Sequence, residues 1–240
     1  MRRPIETEPS PEQRKRVTMV VGMHRSGTSF LTGSLQQAGL ELGKFSSWNR
    51  HNHKGNRENT DFVDFHDDIL RARGFEWNAP PEGPIVWTAE ECSRARALVS
   101  GYSSVPHWGF KDPRATLLLD GWRQVLPHLE FVGIFRHPRD VQRSLEARSG
   151  LPAGDTLALW AAYNRRLLAL HRERPFPVLC FDEPEEVLLR KLDGVLQELG
   201  LTPVAEDRFF ATELRHHRNS TEPVPPLLAD LYSALRSIAR

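Results

Sequence analysis

The strongest constraint on this chain sits near its start. Val17-Thr-Met-Val-Val21 is a short, mostly β-branched run that passes straight into Gly22-Met-His-Arg-Ser-Gly27-Thr28-Ser29. The run predicts a buried strand. Thr28 to Ala38 reads as a helix that closes near Gly39. Between strand and helix stand two glycines with four residues between them. Such glycines let the backbone turn so that successive N–H groups point inward, and the helix N-terminus adds positive potential. Strand, glycine loop and helix in that order form a cradle for an anion.

The rest of the chain repeats the strand-then-helix theme. Trp108-Gly-Phe110, Glu130 to Phe135 and Val178 to Phe181 read as further strands. Helices are predicted over Asp61 to Arg73, Ala89 to Ser100, Leu117 to Leu126, from Pro138, over Thr156 to Arg172, Pro184 to Leu199 and Pro226 to Ala239. Alternation of this kind predicts an α/β class with a central parallel sheet and its site at the strand C-terminal ends, and the P-loop spacing of the two glycines makes the expectation a P-loop NTPase-like three-layer fold. The expected organisation is a disordered leader over residues 1–16 and a single domain over 17–240.

Formal net charge is +1, which argues against a non-specific nucleic-acid binder. Cys92 and Cys180 stand alone, with no spacing for a zinc site or a disulfide framework. No metal site is expected. The start of the chain lacks the apolar run of a signal peptide, and no stretch approaches the ~20 apolar residues of a membrane helix. The expectation is a soluble, cytoplasmic protein that uses neither membrane nor nucleic acid.

The loop departs from the ATP and GTP pattern. A nucleotide triphosphatase carries Lys after the second glycine, where this chain has Thr28. The cation comes earlier, at Arg25. A second anion site is predicted where Phe131 to Phe135 runs into Arg136-His-Pro-Arg-Asp140, with Ser144 on the helix that follows. Two such sites suggest one ligand with two separate phosphate groups.

These residues resemble the sulfotransferase family, in its bacterial and carbohydrate-type branch. Gly22 to Leu31 (GMHRSGTSFL) is similar to the family's 5′-phosphosulfate loop, and Arg136 with Ser144 to its 3′-phosphate motif. Gly109-Phe-Lys-Asp-Pro-Arg114 resembles a Lys-Asp-Pro-Arg segment of the same branch, and Cys180-Phe-Asp-Glu183 a late strand–helix segment. The resemblance spans roughly residues 17 to 201. It implies 3′-phosphoadenosine 5′-phosphosulfate as donor, with no metal required. His24, Arg25, Ser26, Gly27, Thr28 and Ser29 would hold the 5′ end, and Arg136 and Ser144 the 3′-phosphate.

Two departures stand out. Many cytosolic members carry Lys at the position of Arg25, and a histidine base in a Lys-Thr-His segment that reads Lys111-Asp112-Pro113 here. In this reading Arg25 meets charge on the leaving oxygen and Lys111 neutralises the moving sulfuryl oxygens. Glu58, in a Gly55-x-x-Glu58 segment typical of similar bacterial members, is the first candidate for the base, with His53 and His66 in reserve. Trp48, Phe62, Phe65 and Trp77 are candidate acceptor contacts, and Arg215-His-His-Arg218 reads as a solvated charge run. The acceptor stays open: a small molecule, a carbohydrate, a natural-product phenol or alcohol, or a peptide. Two rival readings are a P-loop kinase or NTPase, with Asp112 or Asp182 imitating a magnesium ligand, and a non-catalytic nucleotide-binding protein.

Overall fold

The computed structural model describes residues 15–45, 55–204 and 222–239. Among these residues four parallel strands form one sheet: β1 (Arg16–Val21), β2 (His107–Lys111), β3 (Leu129–Phe135) and β4 (Val178–Cys180), in the order β2-β1-β3-β4. β1 starts one residue earlier than the apolar run implies. Arg16 is held there by a two-pronged ion pair with Glu130 of β3, Nε to Oε1 at 2.9 Å and Nη2 to Oε2 at 2.8 Å.

Side chains alternate along the strands, so each face of the sheet has its own core. Met19, Val21, Phe131 and Phe135 point one way, into a core rich in aromatic residues that includes Trp122, Trp160 and Tyr163. Val20, Val132, Ile134 and Leu179 point the other way, onto α1 (Thr28–Gln37) and α7 (Glu185–Glu198). The first core is covered by α2 (Thr60–Arg71), α3 (Ala89–Ser100), α4 (Leu119–Val125), α5 (Pro138–Ser149), α6 (Ala153–Glu173) and α8 (Ala229–Ile238). The fold is thus the expected α/β sandwich around a parallel sheet. No helix among the described residues is long and apolar enough to cross a membrane.

The helix expected over Leu117 to Leu126 forms as α4, two residues late and behind a separate tight turn. Asp112 accepts from the backbone N–H of Arg114, and Pro113–Leu117 winds as a tight 3-10 turn. Leu118 then leaves helical geometry at φ −120° before α4 begins. Side-chain capping favours a tighter local turn over a continuous helix here. The last helix divides in the same manner, with a 3-10 turn over Pro226–Leu228 ahead of α8.

The strand order decides where a ligand fits. From β1 the chain moves to β2 on one side, and from β3 to β4 on the other. The loops leaving β1 and β3 therefore diverge, which opens a crevice at the C-terminal ends of these two neighbours. The Gly22–Gly27 loop leaves β1 at this point, and Arg136 leaves β3.

Candidate active site

The loop after β1 is shaped by its glycines. Gly27 has φ +90°, and a Cβ there would lie 2.5 Å from the buried ring of Phe181. Gly22 approaches the Ile134 carbonyl so closely that a Cβ would sit 2.4 Å from its oxygen. The loop is thereby pressed against β3 and the segment after β4. Gly27→Ala adds both a ring clash and a left-handed alanine, and should cost about 2–4 kcal/mol. Chemical denaturation would read the loss.

No side chain among the described residues caps α1, which leaves the first N–H groups of that helix to a ligand. Ser26 Oγ is buried and has no hydrogen-bond partner among the described residues. Arg25 is held at φ +65°, a conformation an arginine rarely adopts. Its Nε donates to Ser144 Oγ at 2.7 Å. The contact joins the β1 loop to α5, across 119 residues of sequence. Burial, with repulsion from Arg148 and Arg136, pulls the Arg25 pKa down to about 10.

Arg136 is 4% exposed. Its guanidinium lies 5.4 Å from the centre of the Phe181 ring, and its Nε is 3.4 Å from Asp182 Oδ1. Nε and Nη2 have no hydrogen-bond partner among the described residues. Burial pushes the Asp182 carboxyl up to about 6 against the attraction of Arg136. Ser144, Ser26 and Arg136 are not among the residues that line the open cleft beside the loop.

That cleft has a volume of about 170 Å³, and its walls include His24, Arg25, Thr28, Ser29, Glu58 and Lys111. Lys111, at the end of β2, is nearly enclosed and donates to Glu58 Oε1 at 2.7 Å. Its Nζ is 3.5 Å from Ser29 Oγ. Glu58 comes from the segment ahead of α2, so two elements distant in sequence meet in one buried ion pair.

His24 packs its ring 4.7 Å from that of Trp77. Its Nε2 is buried without a partner among the described residues. Burial first, then the nearby Arg114, Lys111 and Arg148, pull its pKa well below the ordinary histidine value, so the ring is neutral. Trp77 is itself anchored, its carbonyl accepting from the Tyr163 hydroxyl at 2.9 Å. Arg114 and Arg148 also line the cleft.

The reserve histidines fare differently. His66 is fully buried, with Nδ1 2.7 Å from Asp112 Oδ2 and Nε2 accepting from Trp122 Nε1 at 2.9 Å. Both nitrogens are engaged in the core, which removes His66 from consideration as a base. Phe62 and Phe65 likewise pack in the core. His53, Trp48 and Arg215 to Arg218 lie outside the described residues.

Asp112 has both oxygens occupied. Oδ2 meets His66, and Oδ1 accepts from the Arg114 backbone N–H at 3.1 Å and from its Nη1 at 2.9 Å. Arg114 is also paired with Asp67 at 2.6 Å. Burial alone would raise the Asp112 pKa, but the His66 hydrogen bond and the Arg114 charge outweigh it and hold the carboxyl well below the usual range. A depressed pKa means that this stabilisation is complete above the ordinary carboxylate pKa and lost as pH falls below it. Asp112→Ala should cost about 3–5 kcal/mol at neutral pH by stranding buried partners. Urea unfolding of both proteins should show the difference shrinking toward pH 3.

No protein-family model matches this sequence, and no curated protein is significantly similar to it. Comparison of structures does find relatives in fold. The sulfotransferase domain of the olefin synthase from Synechococcus PCC 7002 superposes with a TM-score of 0.57 at 15% identity, covering 98% of each chain. An unliganded sugar kinase from Janibacter sp. HTCC2649 superposes at 0.46, with 17% identity over 79% of this chain and 97% of the kinase. A sulfotransferase from Mycobacterium tuberculosis H37Rv gives 0.43, with 17% identity over 93% of this chain and 75% of the other. Over nearly its whole length, the chain has a sulfotransferase-like fold.

Proposed function

We propose that this chain transfers a sulfuryl group from 3′-phosphoadenosine 5′-phosphosulfate to the hydroxyl or amine of a small-molecule, carbohydrate or natural-product acceptor. The observation that carries the reading is the 2.7 Å contact of Arg25 with Ser144. It brings the β1 loop and α5 together beside the crevice where the strand order reverses, which supports a ligand with phosphate groups at two positions.

The residues present suit such a donor. The amides at the start of α1, with Thr28 and Ser29, would hold the 5′ end, and the Ser26 hydroxyl and Arg136 Nη2, which have no hydrogen-bond partner among the described residues, offer further donors. The donor supplies an activated sulfuryl group whose bridging oxygen gains negative charge as the sulfur–oxygen bond breaks. Arg25, fixed by Ser144 and charged at neutral pH, stabilises that charge. Lys111 neutralises the sulfuryl oxygens. Glu58 takes the acceptor proton; its Oε1 is held by Lys111, which fixes the carboxylate's position. His24 and Trp77 form the wall that an acceptor meets.

The kinase reading needs a free carboxylate at a strand end for magnesium. Asp112 is spent on His66 and Arg114, and Asp182 Oδ2 accepts from the His137 backbone N–H at 2.5 Å. The test is transfer of radiolabelled sulfate from the donor to a panel of phenols, alcohols and sugars in the presence of EDTA. Sulfated product is expected without added metal. Phosphorylation of the same panel from ATP only when magnesium is supplied would replace this reading with the kinase one.

A further inference from the structure

The walls of the cleft carry more positive than negative charge. Arg25, Lys111, Arg114 and Arg148 face Glu58, the one carboxylate among its described lining residues. Lys111 is paired with Glu58, and Arg114 with Asp67 and Asp112. Two cations remain. Arg25 belongs to the β1 loop and leans on Ser144, on the side of the two anion motifs. Arg148 stands elsewhere. It is exposed, lies one turn beyond Ser144 on α5, and makes no hydrogen bond or ion pair among the described residues.

An arginine in the last turn of a helix is favoured by the helix dipole, which is reason enough for a cation at this end of α5. That does not account for its facing the cleft. Arg148 is near enough to Arg25 and to His24 to disfavour a charge on either. Like charges crowded around one cavity oppose each other until anions arrive. A donor phosphosulfate at the β1 loop satisfies Arg25 and leaves the rim cation unanswered.

We infer that Arg148 selects acceptors that carry an acidic group, such as a carboxylate, on the same ring as the hydroxyl or amine that receives the sulfuryl group. This rests on the transferase reading above. A cavity of about 170 Å³ is close to the size that takes up a single six-membered ring. The rings of His24 and Trp77, tilted 57° to each other, would flank the acceptor ring, with its nucleophile toward Glu58 and its acidic group at Arg148.

The test uses matched acceptors of one shape: 4-hydroxybenzoate against 4-hydroxybenzamide, and a uronic acid against its neutral sugar. The full chain should prefer the charged member of each pair in kcat/KM. Arg148→Ala should lower the charged-to-neutral ratio about tenfold, and Arg148→Glu should invert it. A loss shared equally by both members overturns the inference. So does a fall in affinity for adenosine 3′,5′-bisphosphate as large as the fall in the ratio, which would put Arg148 in the donor site. Failure to use either charged acceptor overturns it as well. Bisphosphate binding by the wild-type chain tests the transferase reading separately, so the two failures are distinguishable.

Discussion

Arg25→Ala is expected to lower kcat by about 10²–10³-fold, with a much smaller change in donor affinity. The argument begins with the backbone. Arg25 occupies the left-handed region at φ +65°, and a bulky residue stays there only when its surroundings hold it. Ser144 does so through Nε, which leaves the outer guanidinium nitrogens for charge that grows during the reaction. The ground-state anion already has the amides of α1, so a residue that meets only the growing charge affects kcat more than binding. Arg25→Lys keeps the charge but loses the planar fork and should fall between the two. Ser144→Ala should resemble Arg25→Lys, because it frees the guanidinium without removing it. Single-turnover measurements with saturating donor would separate these cases. Wild-type turnover in Arg25→Ala would remove the loop from the chemistry.

Glu58→Gln is expected to cost about 10²–10⁴-fold in turnover by removing the proton acceptor. Glutamine can still accept from Lys111, so the geometry of the pair survives. Lys111 loses its counter-charge while only 2% exposed, so some stability should go too. Thermal melting and kinetics must therefore be read together. A folded variant with little activity supports the base assignment. A folded variant within threefold of wild type reduces Glu58 to the electrostatic partner of Lys111.

Much of the fold was legible because β1 and β3 are apolar on both faces, as central parallel strands must be. The break between Pro113–Leu117 and α4 was not, because it depends on Asp112 reaching the Arg114 amide. The first loop was legible from its glycines alone. The meeting of Lys111 with Glu58 was not, since the two are 53 residues apart and come together only when β2 lies beside β1. His66 carried a warning. It follows Phe62 by four residues and precedes Ile69 by three, which sets it on the core face of α2. Arg148 carried a similar clue: it lies four residues after Ser144, on the same side of α5. An isolated arginine in a polar helix is ordinarily solvated, and only the cleft beside it gives this one a different meaning.

The central claim is that one ligand bridges the two anion motifs. Calorimetric titration with adenosine 3′,5′-bisphosphate and with ATP, without magnesium, tests it most directly. The bisphosphate should bind tightly and ATP weakly, and Arg136→Ala should erase most of the difference by removing the 3′-phosphate partner. Preference for ATP, or equal bisphosphate binding by the wild type and Arg136→Ala, would contradict the two-phosphate site.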